Sequence, residues 1–233
     1  MKVEIWSDVV CPFCYIGKRK FERALGEFAY RADVQIEWKS FQLTPDFVPT
    51  PGESIHASLA KKKGVSEAEG RRLNDYMTQA AQEVGLNYQF DIAIPANTFL
   101  AHQLIHFAAH HGQQAAMKER LFAAYYLEGR DLNDLDTLLN LAAEIGLDAE
   151  AAEQALQAGT YAHDVRRDEY EAQQIGVRGV PFFVFEDKYA VSGAQPSEVF
   201  AEVLAKVWEE NQPAKLQPAG LADGPACGPD GCE

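Results

Sequence analysis

Apolar and polar residues alternate in two runs near the start of the chain. "KVEIWS" at 2–7 and "VQIEWKSFQ" at 34–42 are β-prone, and a period of two predicts strands. Between them "YIGKRKFERALGEFAYR" sets Ile16, Phe21, Leu25 and Phe28 at helical spacing. A strand, a helix and a second strand within about forty residues predict a parallel βαβ unit with a right-handed crossover.

From Thr44 the pattern changes. "TPDFVPTPG" reads as a loop, and helical periodicity then predicts helices at 53–63, 66–84, 97–111, 113–128, 134–145 and 148–158. Ser66 and Glu69 stand at capping-box spacing, and Gly64, Gly85, Gly112, Gly129, Gly146 and Gly159 fall just past helix ends. A helix at 161–175 leads to "PFFVF" and "KYAVSG", two strands joined at Glu186-Asp187 as a hairpin, and a last helix covers 196–210. Beyond Gln212 proline and glycine dominate, which predicts a mobile tail. The expected organisation is an α/β domain from residues 1–44 and 165–211, an all-helical insertion at 45–164, and a tail at 212–233.

Charge narrows the function classes. A formal net charge of −14 over 233 residues is repelled by phosphate backbones and anionic lipid, so neither nucleic acid nor membrane is expected as a partner. No apolar run reaches the roughly 18 residues of a spanning helix. "MKVE" leads straight into the first strand without a signal-peptide pattern, and a cytoplasmic location is expected. There, paired cysteines are more often catalytic or metal-binding than structural.

Two of the four cysteines, Cys11 and Cys14 in "CPFC", fall between the first strand and its helix. The helix N-terminus would favour a Cys11 thiolate, the attacking species in disulfide exchange. Cys14, one turn on, can close a disulfide, and Pro12 suits the first turn. Zinc ribbons share the CxxC spacing but bring a second pair within a few dozen residues; here none comes until Cys227. A metal clamp and two inert thiols stay open as alternatives to a redox pair. Val180-Pro181 precedes a strand, where a proline often marks a cis bond.

"CPFC" after a strand, a long helical insertion and then "GVPFFVF…VSGAQ" resemble the DsbA-type branch of the thioredoxin superfamily, and within it the FrnE-like proteins. The resemblance spans residues 1 to about 210 and implies a thioredoxin-like fold with a large helical insertion. It implies thiol–disulfide exchange of a reductase or isomerase kind on protein or small-molecule thiols and disulfides. By it Cys11 is the nucleophile, Cys14 the resolving thiol and Pro181 a cis-proline facing them, with the Val180 backbone pairing to substrate. Pro12 and Phe13 join the substrate-binding set. Phe13 departs from the histidine of secreted relatives and implies a milder oxidant, between the potentials of thioredoxin (about −270 mV) and DsbA (about −120 mV) and nearer the former. "ANTFLAHQLIHFAA" at 96–109 also resembles 2-hydroxychromene-2-carboxylate isomerases and kappa-class glutathione transferases, which typically carry serine where Cys11 stands. That is the alternative activity. No bound cofactor is expected, and glutathione is a candidate co-substrate.

Other groups offer less. Cys227 and Cys232 flank "GPDG", a turn that would bring them together as a second redox pair. His102, His106 and His110 recur at zinc-compatible spacing but are expected on a solvated helix face, with no metal. Glu37 and Lys39 are expected at a solvated strand end, with a role as proton acceptor for Cys14 as the sharper reading. Tyr125, Tyr126, Phe182 and Phe183 are expected in the core.

Overall fold

The computed structural model describes residues 1–211, with the backbone of Cys227–Gly228 and Gly231–Cys232. A four-stranded sheet has the order β2 (Gln35–Ser40), β1 (Lys2–Ser7), β3 (Phe182–Phe185), β4 (Tyr189–Ser192). β1 runs parallel to β2 in the register Ile5↔Trp38, and antiparallel to β3, where Ile5 faces Phe183. Three residues, 186–188, join β3 to β4, and two of them, Glu186 and Asp187, take left-handed φ values of 50° and 53°.

Both faces of the sheet are covered, so the alternation of β1 separates two interiors rather than core from water. Val3 and Ile5 face α1 (Pro12–Glu27) and α9 (Ser197–Glu210), where Phe21, Phe183 and Phe200 meet with ring centroids 4.7–5.6 Å apart. Trp6 belongs to a second cluster with Ala172 and Val177, flanked by Phe182 and Val184. β2 stops at Ser40, two residues short of the expected end. The Gln42 and Leu43 N–H groups donate instead to the side chains of Glu169 (3.2 Å) and Asp8 (2.8 Å), which draws the chain out of the ladder.

The helices between β2 and β3 are α2 (Ile55–Lys63), α3 (Glu67–Gln82), α4 (Phe99–His110), α5 (Gln114–Tyr126), α6 (Leu135–Glu144), α7 (Ala149–Gln157) and α8 (Ala162–Gln174). Serine and aspartate caps start four of them: Ser54, Ser66, Asp134 and Asp148 each accept backbone N–H bonds. Gly129 needs its glycine twice over, because φ is +63° and an added Cβ would meet the Ile92 carbonyl oxygen at 2.5 Å.

α4 corrects the histidine expectation. It lies among α5, α6, α7 and α8 and is buried from Ala101 to Ala108, so it has no solvated stripe over that span. His102 and His106 are inside, and only His110 is exposed. Each buried ring has a carboxylate: His102 Nε2 lies 3.3 Å from Asp8, and His106 Nε2 lies 3.0 Å from Asp168. The Lys39 expectation is corrected too. Lys39 is 7% exposed and lies 3.0–3.5 Å from Glu4, Glu37, Asp168 and Glu171. Burial alone would lower its pKa, but Asp168, Glu171 and Glu37 hold it above the ordinary lysine range. It is an ammonium ion committed to structure.

α5 is tied to α1 through Glu119. Its carboxylate accepts from Lys18 Nζ at 2.6 Å, from Tyr15 OH at 2.6 Å and from the Arg19 guanidinium. Burial alone would raise the Glu119 pKa, but these donors pull it from 4.5 down to about 2. A carboxyl group with a lower pKa folded than unfolded adds stability above the unfolded value, and loses it as pH falls through the folded one. The urea midpoint of the wild type is therefore expected to fall between pH 4.5 and about 2 more steeply than that of Glu119→Gln. Parallel curves would mean that the clamp contributes nothing.

Candidate active site

The sequence Ser7-Asp8-Val9-Val10-Cys11 turns the end of β1 into α1. Cys11 is the N-cap residue in an extended conformation, Pro12 opens the first turn, and Cys14 N donates to Cys11 O at 3.0 Å. Both cysteines are free thiols; Cys11 is 5% exposed and Cys14 fully buried. The Cys11 Sγ lies 3.4 Å from the Val180 carbonyl oxygen, and the Val180–Pro181 peptide bond is cis. Gly17 lets these parts meet, because a Cβ there would come within 2.9 Å of Pro181 Cγ. Tyr88 OH donates to the Pro12 carbonyl at 2.8 Å and steadies the turn.

The helix N-terminus by itself would lower the Cys11 pKa, and the surroundings reverse that expectation. A hydrogen bond with Cys14, then burial, then the charges of Cys14 and Asp8 push the Cys11 thiol well above the ordinary thiol range. The surroundings therefore favour the protonated form of Cys11 in the reduced protein.

One side of the pair opens on a groove of about 470 Å³. Cys11, Pro12 and Phe13 form one wall, with Tyr125 and Phe90 also lining it. Leu59, Leu73 and Met77 from α2 and α3 line the groove, along with Lys62 and Lys63. Phe13 is 41% exposed, so it presents an apolar face beside the thiol. The structure sets Cys11 against Val180 and its cis bond to Pro181, with Cys14 one turn on, while Pro12 and Phe13 line the groove beside Cys11. Cys227–Gly228 and Gly231–Cys232 pair antiparallel with the two cysteines in register, while the remainder of 212–233 lies outside the described residues.

Asp8 and Lys118 escaped the sequence reading. Asp8 is buried, accepts from Leu43 N and His102, and gives its backbone carbonyl to Cys11 N at 3.2 Å. Lys118 had a visible signal: it shares a helical stripe with Leu121, Phe122 and Tyr125, where a lysine is out of place.

A family model described as a DSBA-like thioredoxin domain matches residues 2–205. The chain belongs to that family. Members carry out thiol–disulfide chemistry, and the α/β sheet with its many helices is the DsbA-like thioredoxin fold. A solved structure described as a probable DsbA oxidoreductase from Streptomyces coelicolor is 40% identical, with a TM-score of 0.85 over 100% of this chain and 98% of its own. A 2-hydroxychromene-2-carboxylate isomerase (18% identical, TM-score 0.66, 91% and 98% covered) shares the fold. So does the cytosolic disulfide reductase DsbM from Pseudomonas aeruginosa, solved with GSH (20% identical, TM-score 0.63, 89% and 100% covered).

Proposed function

We propose that the chain reduces or isomerises disulfides in proteins or small molecules, with Cys11 as nucleophile and Cys14 as resolving thiol. The observation that carries this is the Cys11 sulfur, at a helix N-terminus, 3.4 Å from the Val180 carbonyl with Cys14 one turn behind it. A substrate strand laid along Val180 would bring its own sulfur to Cys11 by backbone pairing. Cys11 gives its proton to solvent, its thiolate attacks one sulfur of the substrate disulfide, and the other sulfur leaves as a thiolate that takes the proton of Cys14. Cys14, deprotonated, then attacks Cys11 Sγ, so the substrate gains two electrons and the Cys11–Cys14 disulfide forms. Glutathione would return those electrons, and the fold shared with a GSH-bound cytosolic reductase supports both that co-substrate and a cytosolic site of action. Among the described residues no helix is long and apolar enough to cross a membrane.

The test is equilibration of the pair in glutathione buffers of graded poise. A reversible two-electron transition nearer the thioredoxin than the DsbA end is expected; no reversible disulfide at any poise would end the proposal. Phe13→His supplies a donor beside the thiolate and is expected to raise the potential by about 30 mV or more, a scale on which 30 mV is about 1.4 kcal/mol. An unchanged or lower potential would show that residue 13 does not tune the pair.

A second reading, a glutathione-dependent isomerase, draws on the groove, whose apolar lining and lysines would suit an aromatic acid. Cys11 and Cys14 standing together favour the first.

A further inference from the structure

The groove beside Cys11 holds polar groups that no step described so far uses. Tyr125 is 2% exposed and Asn74 is 4% exposed, and both line the groove. The Tyr125 hydroxyl makes no hydrogen bond among the described residues, although two other tyrosines of the same core do. Tyr15 donates to Glu119, and Tyr88 donates to the Pro12 carbonyl. Burial, and then the charge of Asp8, push the Tyr125 pKa up, so its hydroxyl stays protonated and can donate.

Asn74 has only part of its amide in use. The His56 ring lies between Asp91, 3.1 Å from its Nε2, and Asn74, whose Nδ2 is 3.0 Å from its Nδ1. A neutral ring that gives its Nε2 proton to Asp91 accepts at Nδ1, so Asn74 donates there and its side-chain carbonyl oxygen is left without a partner. Among the described residues the Tyr126 hydroxyl and the Gln103 carbonyl oxygen are fully enclosed without a partner; the oxygens of Tyr125 and Asn74 are not enclosed. The cavity that both side chains line is the groove, and it is there that they open.

A buried polar group without a partner is costly, and phenylalanine or leucine in these places would avoid the cost. Around the two groups the lining is apolar, with Leu59, Leu73, Met77 and Phe90. Lys62 and Lys63 line the same groove, and neither pairs with a carboxylate among the described residues. Lys61 beside them pairs with Glu53. The C-terminal end of α2 favours lysines in general, but in a chain of net charge −14 two unpaired ones at one cavity also attract an anion. A hydroxyl donor and a carbonyl acceptor complement the C=O and N–H of an amide. The volume of about 470 Å³ lies within the ordinary range for small ligands.

We propose that the groove is a small-molecule site whose substrate is a low-molecular-weight disulfide with an apolar body, an amide and a carboxylate. Lys62 and Lys63 take the carboxylate, Tyr125 and Asn74 the amide, and the apolar lining the body. This rests on the disulfide-exchange reading above and names its substrate class. The half held in the groove is the half that stays on Cys11. The Cys11 thiolate bonds to its sulfur, the S–S bond of the substrate breaks, and the other half leaves with the proton of Cys14. Cys14 then attacks Cys11 Sγ, and the held half departs as a thiolate that solvent protonates. The substrate has gained the two electrons that the cysteine pair has lost.

The probe is N,N′-dibenzoylcystine, which carries an aromatic body, an amide and a carboxylate on each half. Its dimethyl ester is the neutral comparator. N,N′-dibenzoylcystathionine, with CH2–S in place of S–S, binds without exchanging. Calorimetry on the full chain is expected to show the cystathionine acid bound about tenfold more tightly than its dimethyl ester, the scale of two exposed ion pairs, with the preference shrinking as salt rises. Tyr125→Phe is expected to weaken binding of the acid about fivefold, the scale of one hydrogen bond. Its urea midpoint should stay the same or rise, whereas a hydroxyl serving only the fold would lower it. Lys62→Gln with Lys63→Gln is expected to remove the preference for acid over ester. Reduction of the two disulfides by the reduced protein, each rate divided by that with dithiothreitol, should follow the same order. Equal affinity for acid and ester, or a Tyr125→Phe variant that binds the acid as the wild type does, would overturn the assignment. A wild type that reduces insulin but leaves dibenzoylcystine untouched would overturn this inference alone. A wild type that binds the cystathionine yet exchanges with no disulfide would overturn the exchange reading, and the substrate class with it.

Discussion

Cys11→Ser is expected to abolish disulfide reduction, with the rate of insulin reduction by a thiol-coupled assay falling by at least about a thousandfold. A serine hydroxyl at this position stays protonated at neutral pH, and only a thiolate can attack a disulfide sulfur and later leave it. Binding should survive, because serine is close to cysteine in size and leaves the other groove residues and the Val180 carbonyl in place. Cys14→Ser should behave differently. Cys11 still attacks, but nothing resolves the product, so mixed disulfides with substrate accumulate and appear as added mass on the protein. The pair of variants also separates the two activities. Glutathione-dependent isomerisation that persists in Cys11→Ser, with insulin reduction absent even in the wild type, would favour the isomerase.

The second large effect is structural. Asp168→Ala is expected to cost about 3–5 kcal/mol, the range for removing one partner of a buried charge network. The Asp168 side chain is fully buried, accepts from Ser40 N at 2.9 Å, and lies 3.0 Å from His106 Nε2 and 3.4 Å from Lys39 Nζ. Its backbone carbonyl also holds the Trp6 indole at 2.9 Å. Without the carboxylate, the buried Ser40 N–H loses its acceptor, the His106 ring keeps only Ser40 Oγ, and the Lys39 ammonium loses one of its four carboxylates. Against a typical total of about 5–15 kcal/mol, the variant should unfold at much lower urea or fail to accumulate. A loss below about 1 kcal/mol would mean that the network rearranges around the gap.

Much of the fold was legible because local signals agreed with the tertiary result. β1 and the helix ends carry caps, glycines and periodicity that need no long-range partner, and the CPFC pair announces itself by its place after a strand. The errors share a cause. His102, His106 and Lys39 read as solvated because their polarity was judged along one element, whereas burial is decided by the elements packed against it. Asp8 and Asp168 supply partners from 94 and 62 residues away, and no periodicity reports that. The same holds for the Cys11 thiol. Its helix terminus is visible in the sequence, but the closeness of Cys14 and Asp8 that overrides it belongs to the folded chain.

The groove divides unevenly between its walls. The wall carrying Cys11 and Pro12 belongs to α1, which Glu119 fastens to α5. Facing residues come from α2 and α3, which pack on each other and are pinned where His56 meets Asn74 at 3.0 Å. On the proposed function, the reacting sulfurs and a large part of the surface that would meet the substrate lie on separate stretches of chain. Substitutions within residues 55–82 would then retune what the protein accepts while the reacting sulfurs stay as they are. The helical hairpin would in effect be an exchangeable reading head on a fixed redox tool.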